Sequence, residues 1–549
     1  MPIRARWLSA QTKVFLDEEP LPDDPYPEGF QNERIAFQLT FYTDIFTHIR
    51  PRISSPLLPD TLVRRIGSVP VLVACGPEED QNILRRTPGL YPDRLMKIHN
   101  DHFRCAQHCW ESLWIEIFRP DGLEPGDYPF TLRLENADTG EQLSENTIHI
   151  LVHPGMLPPQ KLLHTKWFYC DCLAEYYHTE VFSETHWKII ENYMRFAVEH
   201  GINTILMPVH TPPLDTMPGL GRLTVQLVGV TMENGKYSFD MSLVRRWIAL
   251  CRACGVRYYE IAHLFTQWGA EHAPKIIGET DGVRRRLFGW ETDAAGKEYR
   301  EFLAAYIPAL RCVFREEGIE QNTLWHISDE PNEDHLSSYL AARKQVDDLL
   351  DGCYIMDALS SFEFYRQDIV AHPVVATNHI EPFLEAHVPG LWAYYCSGQR
   401  QDVSNMFISY PSARNRILGV QLFKYGIRGF LQWGYNFYHS QGSEYVVDPY
   451  STPDGDNWVP AGDTFQVYPD YDGFPEESIR MAVTTLALQD LRALDWLADL
   501  IGKEKAISVL EEGLTQELTF FRYPADPSWL LEMRQRVNRA IITALEKTA

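Results

Sequence analysis

No apolar run in these 549 residues reaches the roughly 18 positions that a bilayer-spanning helix needs, so no membrane span is expected. The opening stretch, MPIRARWLSAQTKVFLDEEP, has basic residues but neither the apolar core nor the small-residue cleavage site of a secretory leader, and the chain reads as cytoplasmic. Cysteine is scarce and without rhythm: ten residues, with no disulfide-framework spacing. Cys251 and Cys254 make one CxxC in and just after the helical stretch Leu243–Ala253, with no second pair to complete a zinc site, so burial is the expected role. Positive charge is also short. The 50 Lys and Arg against 75 Asp and Glu leave a net charge of -25, a field that repels nucleic acid, anionic membrane surfaces and polyanionic glycans. A neutral sugar end is compatible with it. No motif calls for a cofactor or a metal, and no repeat or low-complexity tract interrupts the chain.

What is present is an ordinary globular composition, 45% hydrophobic and 23% charged, in a chain long enough for more than one domain. Its 14 Trp and 27 Tyr suit stacking on sugar faces, though a large core needs such rings too. Three regions separate by pattern. Residues 1–155 read as an accessory β-sandwich, with strands expected at Ala36–Tyr42, Val71–Cys75, Leu113–Phe118, Tyr128–Leu134 and Thr147–Pro154. Pro154, Gly155, Pro158 and Pro159 suggest a stiff linker. Residues 160–476 alternate strands with helices, and roughly eight such units predict an α/β fold, a (β/α)8 TIM barrel with its active site at the C-terminal strand ends. The expected strands are Lys166–Cys172, Ile202–Val209, Val256–Leu264, Thr323–Asp329, Cys353–Leu359, Val374–Asn378, Leu391–Cys396 and Gly429–Asn436. Helices are expected at His186–His200, Leu243–Cys254, Tyr299–Glu317 and Asp334–Leu350. Residues 477–549 read as a helical appendage, with helices at Ile479–Leu497, Lys503–Leu510 and Leu530–Leu545.

The chemistry concentrates in LWHISDEPNED, Leu324–Asp334. An apolar run ends in His326, Ser328, Asp329 and Glu330, and Pro331 stops the strand. Adjacent carboxylates repel, so one holds its proton and can act as a general acid near neutral pH. The plainer reading is an acidic helix start, where Asp and Glu suit the dipole. Position at the end of the fourth strand favours catalysis. A retaining glycosidase ordinarily needs a second carboxylate about 5–5.5 Å from the first, and many barrels take it from the seventh strand. Here that strand and its exit, LWAYYCSGQ, hold no acid. One other nucleophile is the substrate's own 2-acetamido oxygen. Asp329 would then orient the acetamido N–H, Glu330 would protonate the leaving oxygen, and Tyr394 or Tyr395 would bind the acetamido carbonyl.

HISDEP at His326–Pro331, WAYYC at Trp392–Cys396, GFLQWGYN at Gly429–Asn436, GDTFQVYPD at Gly462–Asp470 and SIRMA at Ser478–Ala482 together resemble the family 123 glycoside hydrolases. These are the β-N-acetylgalactosaminidases, with relatives that share their barrel, and this chain is similar to a divergent branch of them. The resemblance covers the barrel and the start of the C-terminal helices. It implies substrate-assisted catalysis by an Asp-Glu pair, here Asp329 and Glu330. It also implies retention of configuration and a terminal β-linked N-acetylgalactosamine of a glycan or glycoconjugate as the partner.

Other strand ends supply expected pocket residues. Trp433 is the expected platform under the sugar ring, against the alternative of a barrel filler, with Asn436 beside it and Trp392 on the seventh strand. His210 in PVHTPPLD, His263 with Gln267 and Trp268 in the loop beyond it, and His326 are expected near sugar hydroxyls, although lone histidines are more often structural. Asp463 joins them, against plain Gly-Asp turn chemistry. Three rivals stay open. One is a β-N-acetylglucosaminidase of the same mechanism. Another is a metal-dependent hydrolase with His210, His263, His326 and Asp329 as ligands, weakened by the lack of an HxH pair in KWFYCDC. The third is a non-catalytic glycan-binding protein, which would not need both carboxylates. Homo-oligomerisation is left open.

Overall fold

A computed structural model describes residues 3–23, 25–76 and 80–548. The strands up to His153 form two five-stranded sheets. One runs in the order Arg4–Ser9, Ile35–Thr43, Cys109–Ile117, Thr61–Val71, Gly89–Lys97; the other in the order Glu28–Phe30, Gln142–His153, Gly126–Asn136, Thr47–Ser54, Phe103–Cys105. Alternate residues Phe37, Leu39 and Phe41, Leu113 and Ile115, Phe130 and Leu132 share one buried core, as the period of two in each strand dictates. The expected strand at Val71–Cys75 is corrected: the strand ends at Val71, and the apolar run continues because Ala74 packs into the barrel's core instead.

The proline-rich segment that follows is pinned rather than free. Gly155 exchanges hydrogen bonds with Gln31, and Leu157 does so with Asn32. Gly155 sits at φ +113, where a Cβ would stand 2.7 Å from the Trp496 ring, so glycine is required.

Eight parallel strands close the barrel: Leu163–Lys166, Thr204–Met207, Tyr258–Ile261, Thr323–Trp325, Tyr354–Leu359, His372–Ala376, Trp392–Tyr394 and Gly429–Gln432. The last pairs with the first, Gly429 opposite Leu163. Six fall within the expected segments, and the sixth strand begins two residues before its expected start at Val374. The first is shifted, because KWFYCDC runs from the end of the strand into the buried helix Cys170–Tyr176, and a buried helical turn has the same unbroken apolar look as a buried strand. The helix expected at Asp334–Leu350 is shorter, Leu336–Lys344.

The helix Ile479–Ile501 joins the parts. One side lies on the barrel helix Ser412–Tyr425, so close that a Cβ on Gly419 would be 1.9 Å from the Ala487 carbonyl oxygen. Its first turns, through Ile479, Ala482, Val483 and Leu486, cover Ile66, Leu95 and Trp114 of the first sheet. Buried ion pairs line this seam. Among the described residues, no helix is long and apolar enough to cross a membrane.

Candidate active site

A cavity of about 320 Å³ opens at the C-terminal ends of the barrel strands. Its wall includes Trp167, Asp215, Met217, Gln267, Trp268, Asp329, Glu330, Tyr394, Ser397, Trp433, Gln441 and Trp458.

The fourth strand ends at Trp325, and neighbouring strands hold the five residues beyond it. Asp357, on the fifth strand, accepts the N–H of Ile327 at 2.9 Å and of Ser328 at 3.3 Å, and also the Tyr339 hydroxyl. The Ser328 hydroxyl donates to the Thr266 carbonyl at 2.8 Å, and the Glu330 N–H donates to the Ala358 carbonyl at 3.1 Å. This clamp fixes Glu330 in the left-handed region, φ +45, where a residue with a Cβ is strained. Asp215 at φ +46 and Trp268 at φ +58 share that strain on the same wall, and such strain gathers at functional sites.

The Tyr394 hydroxyl donates to Glu330 Oε1 at 2.7 Å. Asp329 is 5% exposed and, among the described residues, has no Lys or Arg against it. Burial, and then the negative charges of Glu330 and Asp215, push its carboxyl well above the usual range. Asp215 is raised to about 7, chiefly by burial, with Arg222 opposing and Glu330 adding. Gln267 bridges the two: its Nε2 reaches Asp329 Oδ2 at 3.4 Å, and its Oε1 accepts the Asp215 N–H.

Beneath this wall lies an enclosed polar layer. His326 is 0% exposed, with Nε2 on Glu260 at 2.7 Å and Nδ1 near Asp357 at 3.5 Å. Burial alone would lower it; the two carboxylates reverse that and raise it to about 9, so it is an imidazolium at neutral pH. Glu260 also accepts the Thr165 hydroxyl and the Trp167 indole N–H, at 2.5 and 2.7 Å. His263 lies flat on His326, centroids 4.2 Å apart, and burial followed by that neighbour's charge holds it well below the usual range. His210 places Nε2 on the His263 carbonyl at 2.8 Å, and burial lowers it to about 4.

The three histidines expected near hydroxyls are therefore not on the wall. Nor is Trp392, which donates to the Tyr354 hydroxyl at 3.3 Å. Asn436 brackets the Tyr169 backbone with both ends of its amide, each at 3.0 Å. Tyr395 lies edge-on to Phe430 with its hydroxyl buried, so of the two tyrosines it is Tyr394 that reaches the cavity. Asp463 is also off the wall but accepts the Trp433 indole N–H at 2.9 Å, fixing that ring against Trp458. The cavity thus gathers Asp329, Glu330, Gln267, Trp268, Tyr394 and Trp433, and it adds Trp167, Asp215 and Trp458. Asp215 closes the run PVHTPPLD; an acid in a loop leaving a barrel strand was the signal, and the histidine in that run masked it.

The four metal ligands of the rival reading do not converge. Among the described residues, Asp171, Cys172 and His439 do, and there the Arg222 fork already holds both Asp171 oxygens at 2.7 Å.

The family profile described as glycoside hydrolase 123, catalytic domain, matches residues 167–497. Among solved structures the chain is similar to a family 123 glycoside hydrolase from Clostridium perfringens, studied for glycolipid glycan hydrolysis. The TM-score is 0.75 at 13% identity, covering 99% of this chain and 98% of that one. A Bacteroides uniformis beta-glucuronidase has a TM-score of 0.29 at 11% identity, covering 85% of this chain and 48% of that one. A family 5 glycoside hydrolase from Bacteroides vulgatus has a TM-score of 0.31 at 11% identity, with 62% and 67% covered. No curated protein sequence matches.

Proposed function

The chain belongs to the glycoside hydrolase 123 family, and on that premise we propose that it releases terminal β-linked N-acetylgalactosamine with retention, using the substrate's acetamido oxygen as nucleophile. The observation that carries this reading is the placement of Asp329 and Glu330 side by side on one cavity wall, with Tyr394 on Glu330. Two carboxylates leaving one strand approach the sugar from one side, so neither suits attack from the face opposite the leaving group. The acetamido carbonyl, tethered next to the anomeric carbon, has the high effective molarity of an intramolecular reactant.

In this mechanism Glu330 gives its proton to the glycosidic oxygen as the bond to the anomeric carbon breaks. Asp329 accepts the acetamido N–H; a carboxylate whose pKa is raised by burial and like charge is a stronger base once ionised, so it can take that proton as the ring closes. Glu330, now ionised, draws a proton from the water that opens the oxazoline, and Asp329 returns its proton to the acetamido nitrogen. Trp433, fixed by Asp463, is the platform for the cleaved sugar.

One observation favours a second reading. Asp215 also lines the cavity and would be a nucleophile of the ordinary double-displacement kind. Its pKa, raised to about 7, leaves it partly ionised near neutral pH, so a comparison of substrates must decide between the two nucleophiles. Comparing p-nitrophenyl β-glycosides of N-acetylgalactosamine, N-acetylglucosamine and galactose separates the readings. The galactosaminide should be cleaved best, with the β-anomer formed first, the galactoside should be inert, and a thiazoline mimic of the bicyclic intermediate should inhibit. Comparable rates on galactoside and galactosaminide would move the nucleophile to Asp215.

A further inference from the structure

The aromatic rings on the cavity wall differ in how they are held. Trp433 is 8% exposed, with its N–H on Asp463 and its ring against Trp458. Trp167 is buried with its N–H on Glu260, and Tyr394 is committed to Glu330. Trp268 is 50% exposed, and among the described residues its indole neither donates a hydrogen bond nor meets another ring. A ring of that size is ordinarily covered.

The loop beneath it is not slack. Pairing between the third and fourth strands continues beyond the barrel: Leu264 N–H donates to the His326 carbonyl at 3.2 Å, Phe265 N–H to Ile327 at 3.0 Å, and Trp268 N–H to Asp329 at 2.9 Å. Trp268, Gly269 and Ala270 then follow one another at φ +58, +132 and +55, a left-handed run in which two residues carry a Cβ. A Cβ on Gly269 would stand 3.2 Å from the His335 ring, so the loop is wedged against the segment just beyond Glu330. An uncovered ring, on strained backbone, is thus fixed to the catalytic pair.

We infer that Trp268 is the platform for the sugar ring on the leaving-group side of the scissile bond, so that the enzyme reads two rings: the cleaved one at Trp433 and a second pyranose at Trp268. This rests on the glycosidase reading above. The enclosed rings occupy the inner part of a small cavity, and an exo-acting enzyme holds the chain end inside and the rest of the glycan at the mouth, where Trp268 stands. A pyranose fits better than an alkyl chain because it offers an apolar C–H face to the indole and hydroxyls to Gln267, Ser397 and Gln441 on the same wall.

The test compares kcat/KM of Trp268→Ala and Trp268→Phe with the parent protein on three substrates: a β-N-acetylgalactosaminyl-galactose disaccharide, the octyl β-glycoside, and the β-glycosyl fluoride, whose leaving group is too small to reach the mouth. Trp268→Ala should lose about tenfold more on the disaccharide than on the fluoride, about what one stacked ring contributes, and Trp268→Phe should recover most of it. Equal losses on disaccharide and fluoride would make Trp268 a support of the cleaved sugar, and no loss on the disaccharide would leave it idle; either overturns the platform. A loss as large on the octyl glycoside would put a lipid-like group there and overturn the sugar assignment. If the parent protein cleaves none of the three, the galactosaminidase reading itself fails, a result distinct from the others.

Discussion

Along the seam between the N-terminal sheets, the barrel and the C-terminal helices, buried carboxylates face arginines: Asp93 meets Arg480 at 2.9 Å, Asp490 meets Arg416 at 2.7 Å, and Glu33 meets Arg534 at 2.5 Å. At the mouth of the barrel, Asp329 is as enclosed but faces Asp215 and Glu330. Glu477, in the seam, shows the outcome of the first arrangement: burial would raise it, yet Arg64 and His200 bring it well below the usual range. Asp329 shows the outcome of the second, driven far upward. Arginine supply decides whether a buried acid stays ionised and fastens two elements or becomes basic enough to take up a proton.

The largest expected effect breaks the mouth side of this contrast. Glu330→Gln should cost about 10²–10⁴-fold in kcat on a disaccharide and less in the first step of an activated aryl glycoside, whose departure needs little protonation. Steady-state rates on both substrates check this, and undiminished disaccharide turnover would place the acid elsewhere. Asp329→Asn should lower kcat far more than it raises KM; the reverse pattern would make Asp329 a binding residue.

Arg480→Met breaks the seam side. It leaves Asp93 buried without its cation and should destabilise the fold by about 3–5 kcal/mol, read from the urea midpoint. A loss near zero would show that the seam does not depend on its arginines.

Trp433→Ala should cost about tenfold in kcat/KM, shared between the two constants, through lost stacking and positioning. Near-normal kinetics in a folded variant would return that ring to the core.

The smallest effect sharpens the electrostatics. Folded Asp215 holds its proton to about 7, while the unfolded chain releases it near 3.9, so between those values the folded state binds more protons and its stability falls as pH rises. Asp215→Asn removes that slope and should raise Tm at pH 7.5 more than at pH 4. Parallel Tm curves would show that Asp215 is not shifted.

How much of this was legible in the sequence follows from side-chain direction. The barrel strands were readable because each short apolar run is flanked by helix-period segments. Arg4–Ser9 and Thr47–Ser54, rich in polar residues and only half-covered, carry too weak an alternation to stand out. Asp329 and Glu330 were readable because paired acids ending an apolar strand have few structural uses. His210, His263 and His326 were not, because a strand end fixes how high a residue sits but not whether it faces the cavity or the layer beneath. Their partners Glu260 and Asp357 lie on strands that read as plain core. Asp215 sits in a loop with no periodicity to place it.

The contact at Gly419 bears on how the chain is made. Residues 412–423 are all buried, and the Ala487 region lies against them without room for a methyl group. During synthesis the last barrel strand, ending at Gln432, leaves the ribosome well before that cover exists. For the several seconds that translation at about 5–20 residues per second needs to add it, the helix of the seventh barrel unit stands without its partner. A nascent chain stalled near residue 476 should therefore be open to proteases around residues 412–425, and become resistant once the helix ending at Ile501 has emerged.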